Sequence, residues 1–531
     1  MHVVKSIVAC FLFVFTYSGN ASILRVPRDY ATIQLANQAA SQGDTVLLER
    51  GNYFESALIT HDLLITSQWL FSRDTNDRDQ TILSPLQLDS TSMFITATNT
   101  LEFKGVTFRS AQPHRRVRII SSPNTILRLL MYECVIDGGI DTTRNVSSGL
   151  IFCNIQPSSF IGERIQFRGI ENEGVPLLSI RGKMSLFNST FYNHLRDDVT
   201  GIFFASGISD SLSISDCSFN RIARGIYYSG SNIQIRRNCF QSTGEWSLNL
   251  SAPGDNNLII DSCKFDSCFS SQQYQQAVIT FSSTTSQNPT ISNCQFTNAN
   301  STGGAALIES HERVFIRNCI FRNNSGFIAL ISSNTPFVEG CQFLDNGSFV
   351  FMDGYNGSRT ITVANSDFLT TSNFFVTRPN GRQFDTAFAQ DNYWGDPTGP
   401  RHPQNPGGLG TILPGWVNPF PFLTEPNFPE TFTIDLHRYT YSLPNSIVLN
   451  APYPNPFNNE TVIRFSLPRG TDVAVAVYDV TGREVVSLAN GWLPAGENVL
   501  RWSPTLLSSG SYYVRLSTPT RQVTRTLTYL K

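Results

Sequence analysis

The chain has 531 residues, a formal charge of −2, 40 % apolar residues and only 15 % charged ones, against about 25 % charged in an ordinary soluble domain. That excludes disorder, which needs low hydrophobicity and high charge, and a coiled coil rich in Glu, Lys and Arg. The near-neutral balance supplies no global field for nucleic acid or anionic membrane, and the length asks for at least two domains.

At the N-terminus, Lys5 precedes an apolar run from Ile7 to Tyr17, followed by the small residues Gly19-Asn20-Ala21. This reads as a secretory signal over residues 1–21, and the run is too short to span a bilayer as a helix. Tyr30 to Ser41 places apolar residues at Ile33, Ala36, Ala39 and Ala40, the spacing of an amphipathic helix. A strand starts at Gly43-Asp44-Thr45-Val46-Leu47-Leu48.

The interior repeats one phrase. Its copies are Asn188-Ser189-Thr190-Phe191, Asp216-Cys217-Ser218-Phe219, Asn238-Cys239-Phe240 and Ser262-Cys263-Lys264-Phe265. Asn293-Cys294-Gln295-Phe296, Asn318-Cys319-Ile320-Phe321, Gly340-Cys341-Gln342-Phe343 and Asn365-Ser366-Asp367-Phe368 follow. From Cys217 to Ser366 the second positions step by 22, 24, 31, 25, 22 and 25 residues, with Cys239 taken as the second copy. A short strand such as Leu212-Ser213-Ile214 or Val314-Phe315-Ile316 precedes each copy. This period, with alternation inside it, predicts an all-β fold: a right-handed parallel β-helix of about a dozen coils with an N-terminal capping helix. Coils stacked about 4.8 Å apart would place the Cys/Ser and Phe positions inward and above one another.

After the loss of Cys10 nine cysteines remain, an odd count that argues against a full disulfide framework. Facing ladder positions about 4.8 Å apart are too distant for a disulfide, whose Cβ atoms want about 3.8 Å. Buried free thiols are therefore expected at Cys217, Cys263, Cys294, Cys319 and Cys341, with no assignment for Cys153 and Cys268. No Cys-x-x-Cys spacing favours zinc.

Residues 447–531 change character. Pro454-Asn455-Pro456-Phe457-Asn458 leads into alternating strands at Thr461 to Leu467 and Val473 to Tyr478, a turn at Asp479 to Arg483, and a strand around Tyr512 to Leu516. Short strands between Gly and Pro turns predict a small antiparallel β-sandwich. The prolines of residues 421–446 read as a linker, which leaves 22–420 to the β-helix.

Two resemblances follow from these residues. The Pro-Asn-Pro-Phe-Asn opening, Leu467-Pro468, Val477-Tyr478-Asp479, Gly482-Arg483, Pro494-Ala495-Gly496, Trp502, Ser509 to Tyr512 and the basic end Lys531 resemble a type IX secretion system C-terminal sorting domain of type A. That resemblance implies a Gram-negative bacterium of the Bacteroidetes type, passage through the periplasm, and secretion or display at the outer surface through the type IX machinery. The cap region and Asn392-Tyr393-Trp394-Gly395-Asp396-Pro397 resemble secreted β-helix proteins of the pectin-lyase-like fold, which include enzymes acting on acidic polysaccharides.

A hydrolase of that kind would carry Asn-Thr-Asp, an Asp pair, Gly-His-Gly and Arg-Ile-Lys. Here only the pair Asp197-Asp198, beside His194, is present. Adjacent strand residues point to opposite faces, so these two would need a partner from another coil. A lyase would need calcium held by acids such as Asp210, Asp216, Asp255, Asp261 and Asp266, with an Arg or Lys base. Lys104, Lys183 and Lys264 stand in no matching motif, and His311 and His402 are isolated. Arg115-Arg116-Arg118 and Arg236-Arg237 read as solvated faces. Tyr227, Tyr228, Trp246 and Tyr274 are candidates for stacking on sugar rings.

The expectation is an exported β-helix protein that binds glycan or another surface without catalysis and needs no cofactor. Its partners are the secretion machinery, through residues 447–531, and a polysaccharide or surface ligand. It binds no nucleic acid and is not an integral membrane protein. The alternative is a polysaccharide lyase or glycoside hydrolase with a diverged site, which rests on fold analogy.

Overall fold

A computed structural model describes residues 21–428 and 447–530, apart from 85–91, 110–116, 123–127, 142–145, 169–178, 193–199, 204–210, 252–257, 271–276, 283–287, 302–305, 353–359, 370–375, 378–385 and breaks of up to three residues. The signal reading of residues 1–21 lies almost entirely outside the described residues. The chain divides into two compact units, 1–434 and 435–531, each with its own core.

The first unit is built from three faces of parallel strands. The second sheet shows the repeat most plainly, with thirteen strands from Gly51–Phe54 to Asp367–Phe368. Phe108, Ile136, Phe167, Phe191, Phe219, Phe240, Phe265, Phe296, Phe321, Phe343 and Phe368 lie in direct register, one per coil. Ring centroids along this row are 4.3 Å apart at Phe167–Phe191 and 4.9 Å at Phe265–Phe296, with planes within 4° in both pairs. Trp394 continues the row on Phe368 at 4.6 Å. Strand spacing in a parallel sheet imposes this stack, because identical side chains recur every 4.7–4.9 Å.

The first sheet carries the strand before each phrase, including Ser211–Ser215, Ser231–Arg236, Leu258–Asp261 and Phe315–Arg317. Its inward row of Ile214, Ile235, Ile260, Ile291, Ile316 and Val338 is buried and in register. The third sheet has eight strands between Thr200–Phe203 and Val376–Thr377. Nearer the N-terminus its place is taken by Ala57–Ile59, Ser92–Thr96 and Val117–Ser122, which join the first sheet through the long strand Ile151–Glu163.

The turn from first to second sheet has two residues in every coil from Gly105-Val106 to Asn365-Ser366. The first takes positive φ: Glu133 (52°), Arg164 (53°), Asn188 (49°), Asp216 (58°), Arg237 (54°) and Asn293 (54°) are examples. Asn and Asp suit that geometry, and Gly340 (64°) needs no side-chain adjustment there. Its N–H reaches the next coil's backbone, as from Asn293 to Arg317 O at 3.0 Å. The second residue points inward, and from Cys217 to Ser366 its N–H bonds to the side chain that fills the same slot one coil on. Cys217 N–H donates to Asn238 Oδ1 (2.9 Å), Cys263 N–H to Cys294 Sγ (3.4 Å), Cys294 N–H to Cys319 Sγ (3.4 Å) and Cys341 N–H to Ser366 Oγ (3.0 Å).

This corrects the expected place of the cysteines. They are in turns, not in the strand ladder; from Asn238 to Asn392 the slot holds a small side chain that accepts one hydrogen bond and donates another, whereas Val106 and Ile165 fill it nearer the N-terminus with apolar groups. Cys239 is also not in the slot that its place in the phrase implies. The phenylalanine register puts Asn238 there, and Cys239 stands half-buried on the opposite strand face between Ser218 and Lys264. Cys268 belongs to a second inward slot, five residues after the first, shared with Thr243, Ala299, Asn324 and Asn346. Cys217, Cys263, Cys268, Cys294, Cys319 and Cys341 are buried and unpaired. Burial pushes the Cys134 thiol up to about 12 and holds Cys294 and Cys341 well above the ordinary thiol value.

The capping helix forms over Ile33–Ala39, with Thr32 Oγ1 accepting from Leu35 N–H (3.1 Å) as N-cap. Two short helices that the sequence reading did not expect, Trp69–Ser72 and Thr75–Asp79, occupy one connection. Asp74 caps the second, and Asp77 pairs with Arg50 at 2.6 Å. At the other end, residues 421–428, read from the sequence as the start of a linker, are ordered on the first unit. Leu423 N–H donates to Asn392 O (2.9 Å), and Phe422 packs on the core.

The second unit is antiparallel. Thr461–Leu467 pairs with Val448–Leu449 and Gly496–Trp502; Thr471–Tyr478 lies between Glu484–Leu493 and Gly510–Ser517, and Gln522–Tyr529 follows. Alternate residues Ile463, Phe465, Leu467, Val473, Val475, Val477, Val514 and Leu516 fill its core with Phe457 and Trp502. No helix among the described residues is long and apolar enough to cross a membrane.

Candidate functional site

From Gly105 onward, among the described residues, the connections that vary from coil to coil are those flanking the third sheet. Only Gly230 separates strand Arg224–Ser229 from Ser231–Arg236, whereas eight residues separate Ile279–Phe281 from Thr290–Ser292. The turn on the opposite corner keeps two residues throughout from Gly105-Val106 to Asn365-Ser366. Variable connections on a rigid scaffold are where binding residues concentrate.

The inward row of this sheet is Ile226, Leu248, Ile279, Ile308 and Ile331, all buried. The adjacent row therefore points out. It consists of Tyr227, Asn249, Thr280 and Glu309, all half-buried, with Ser229 and Ser251 two residues further along. Ser282 Oγ donates to Asn249 Oδ1 at 3.3 Å. Tyr227 meets Trp246 at 6.4 Å between centroids, the rings tilted by 57°. The Thr280 hydroxyl is itself buried, so the surface offers the Ser229 and Ser251 hydroxyls, an amide, one carboxylate and one aromatic ring, on levels about 4.8 Å apart along the stack. It can hydrogen-bond a ligand rich in hydroxyls and stack one ring face. Of the four aromatics singled out in the sequence, Trp246 and Tyr228 are buried and Tyr227 stands on this outward row; Tyr274 lies outside the described residues.

The candidate acids have different roles. Asp216 makes a two-pronged ion pair with Arg237 of the next coil, at 2.7 and 2.8 Å. Asp261 Oδ1 accepts from Ser292 Oγ (2.7 Å) and Asn293 Nδ2 (2.8 Å). Asp266 Oδ1 accepts from Thr297 Oγ1 (2.9 Å) and Asn298 Nδ2 (3.0 Å). Burial alone would raise the Asp266 pKa, but these two bonds and Lys264 at 3.4 Å outweigh it and hold the carboxyl below its ordinary value. Each of these carboxylates thus joins its own coil to the next. Lys104 pairs with Glu102 at 2.7 Å and lies over the Tyr132 ring, and Lys183 is exposed. His402 is buried, with Nδ1 accepting from Gln404 N–H (3.2 Å) and its ring edge-on to Phe420. His194, Asp197, Asp198, Asp210, Asp255, His311, Arg115 and Arg116 lie outside the described residues, and of Arg118 only the backbone pairing is described. Among the described residues no three His, Cys, Asp or Glu side chains come together as a metal site.

One cluster escaped the sequence reading. On the outward side of the first sheet Phe315 and Phe337 meet at 5.5 Å, and the Arg317 guanidinium covers both rings while pairing with Glu339 at 3.3 Å. The signal was the alternation in Val314-Phe315-Ile316-Arg317 and Pro336-Phe337-Val338-Glu339, which puts an aromatic and a charge on the same outward face twice running.

With this geometry in place, comparison with known proteins is specific at two points. Residues 250–378 match the family described as "Right handed beta helix region", and residues 451–529 match the "Secretion system C-terminal sorting domain". The chain carries a right-handed β-helix region and a secretion-system sorting domain. The sorting domain marks an exported protein with the secretion machinery as a partner. No curated protein matches the sequence. Among solved structures, the "Siphovirus 9NA tailspike receptor binding domain" is similar at 11 % identity over 96 % of this chain and 99 % of that one, with a TM-score of 0.22.

Proposed function

We propose that the protein is a non-catalytic glycan-binding β-helix displayed on, or released from, the surface of a Gram-negative bacterium. The signal of residues 1–21 takes it to the periplasm, and residues 447–531 take it across the outer membrane by the type IX route. The observation that carries the binding reading is the outward face of Tyr227, Asn249 and Glu309 with Ser229 and Ser251 beside them, a polar ledge with one ring, framed by connections of variable length. The engagement of Asp216, Asp261 and Asp266 between coils supports the same reading, because those carboxylates are occupied in holding the stack. The reading invokes no cofactor; calcium belongs to the lyase alternative.

Calorimetry of the full chain against pectin, alginate and neutral polysaccharides tests this, with parallel assays for unsaturated products and new reducing ends. The expected result is saturable binding without turnover, weakened at least tenfold by Tyr227→Ala and by Asn249→Ala. Product formation would replace this reading with the lyase or hydrolase one.

A further inference from the structure

Along the outward face of the first sheet one row runs Ile259, Thr290, Phe315, Phe337, Thr362 and Phe388, each in parallel register with the one before. Gln234 precedes this row and Asn418 follows it in the same register. Read outward from its middle, the row is alike in both directions: phenylalanine, threonine, a large apolar side chain, an amide. Two residues further along the same strands, the next outward row carries Ser292, Arg317, Glu339 and Ala364. None of these residues is buried, Phe388 is 41 % exposed, and Arg317 and Glu339 keep nearly half of their side chains in water. The body beneath is almost untwisted. Successive buried rings from Phe240 to Phe368 differ in plane by only 2–8°, against roughly 20–25° between neighbouring strands of an ordinary sheet. The face is therefore close to flat.

A row that reads alike from both ends suits a two-fold axis, because an isologous contact sets each residue against its symmetry-related position on an identical copy. Place the axis in the contact plane, along the strands, midway between those of Phe315 and Phe337. Phe315 of each copy then meets Phe337 of the other, Thr290 meets Thr362, Ile259 meets Phe388, and Gln234 meets Asn418. In the neighbouring row Arg317 meets Glu339 and Ser292 meets Ala364. Arg317 already lies over both rings and pairs with Glu339 of its own chain at 3.3 Å. Across the axis two such pairs close a square of alternating charge beside four rings, which complements charge without help from any other molecule. We propose that two copies of this chain associate face to face through the first sheet, their stacks antiparallel and the contact centred on Phe315 and Phe337. Levels about 4.8 Å apart from Gln234 to Asn418, two outward rows wide, give a contact on the order of 1,000 Å² over both copies, the low end for a specific interface. The dimer is accordingly reversible. This inference is independent of the glycan-binding reading, whose ledge is on the third sheet.

Sedimentation velocity of the full chain from about 1 to about 200 µM tests this, a range set by the weak affinity expected of a contact this small. The expected result is a monomer that passes into a dimer as concentration rises. Arg317→Glu and Glu339→Arg, each alone, set like charges against one another at both symmetric places and should weaken association at least about tenfold. Mixed in equal amounts, the two variants should dimerise again, because the acidic pair of one faces the basic pair of the other. A residue that merely supports the fold gives no such rescue. Phe388→Ser, at an exposed ring away from the charges, should weaken the dimer severalfold even if a charge reversal disturbs the strands. A monomer across the whole range would overturn the proposal, as would a dimer that both charge reversals leave intact. Failure of the mixture to associate, with both variants folded by circular dichroism, would overturn the two-fold arrangement, and unchanged affinity in Phe388→Ser would overturn its register.

Discussion

The second and third sheets of the β-helix share one chain and one coil spacing, yet they obey different rules. The second repeats an aromatic at every level from Phe167 to Trp394 and enters each strand through a turn of fixed length. The third repeats only its inward aliphatic row, while the residues outside and the connections beside it change at each coil. Stacking like on like fixes register, because a slip of one residue would turn every phenylalanine out to water. A face that need not fix register is free to vary, and that freedom is what a binding surface uses.

The contrast can be broken most severely at the aromatic row. Phe265→Ala should destabilise the first unit by about 3–5 kcal/mol, the usual cost of removing a buried ring. Two parallel ring contacts at 4.9 Å are lost with it. Denaturant unfolding followed by circular dichroism measures this, and a loss under 1 kcal/mol would mean that the row does not hold the stack. Next comes the turn slot. Cys294→Ala leaves the Cys263 N–H without its acceptor and should cost about 1–3 kcal/mol, whereas Cys294→Ser keeps an acceptor and should cost less than half as much in the same titration. Equal losses would show that the slot is selected for volume alone.

Acid probes the links between coils. Asp266 has a folded pKa below its unfolded one, so its stabilisation is complete above the ordinary carboxyl value, about 4, and is lost as the pH falls through the lower folded value. Melting temperature followed from pH 6 to pH 2 should fall less steeply for Asp266→Asn than for the parent chain. The smallest effect belongs to the third sheet: Tyr227→Ala should change stability by less than about 0.5 kcal/mol, as for most surface positions, in the same protein whose glycan binding it weakens. A large loss of stability there would erase the distinction between the two faces.

The same contrast explains what the sequence made legible. The recurring phenylalanine announced the β-helix because its row holds that residue at every coil from Phe167 to Phe368. The alternating strands after Pro456 likewise announced the antiparallel second unit, whose core keeps the period-two pattern at Ile463, Phe465 and Leu467. The turn slot was only half legible. Its occupants looked alike in size, so Cys239 was aligned with Cys217 and Cys263, although Asn238 is the side chain that accepts from Cys217 N–H. From Asn238 onward hydrogen-bonding capacity, not similarity of side chain, defines the position. Two such slots five residues apart, each preceded by a residue in positive φ such as Asn, Asp, Ser, Arg or Gly, would have placed Cys268 as well. The ledge on the third sheet left little trace, because Asn249, Thr280 and Glu309 resemble any polar strand residues until register brings them into one row.

The donor–acceptor pairs in the turn slots all run one way. The N–H of each coil is met by a side chain of the coil after it, from Cys217 to Asn238 and from Cys341 to Ser366. Growth of the stack is consequently polar: a chain that emerges N-terminus first always ends in an unfinished level, and each arriving level fastens its predecessor like the tooth of a ratchet. Asn392 ends the series, accepting from Ser366 N–H while donating to the Ala389 and Gln390 carbonyls of its own level.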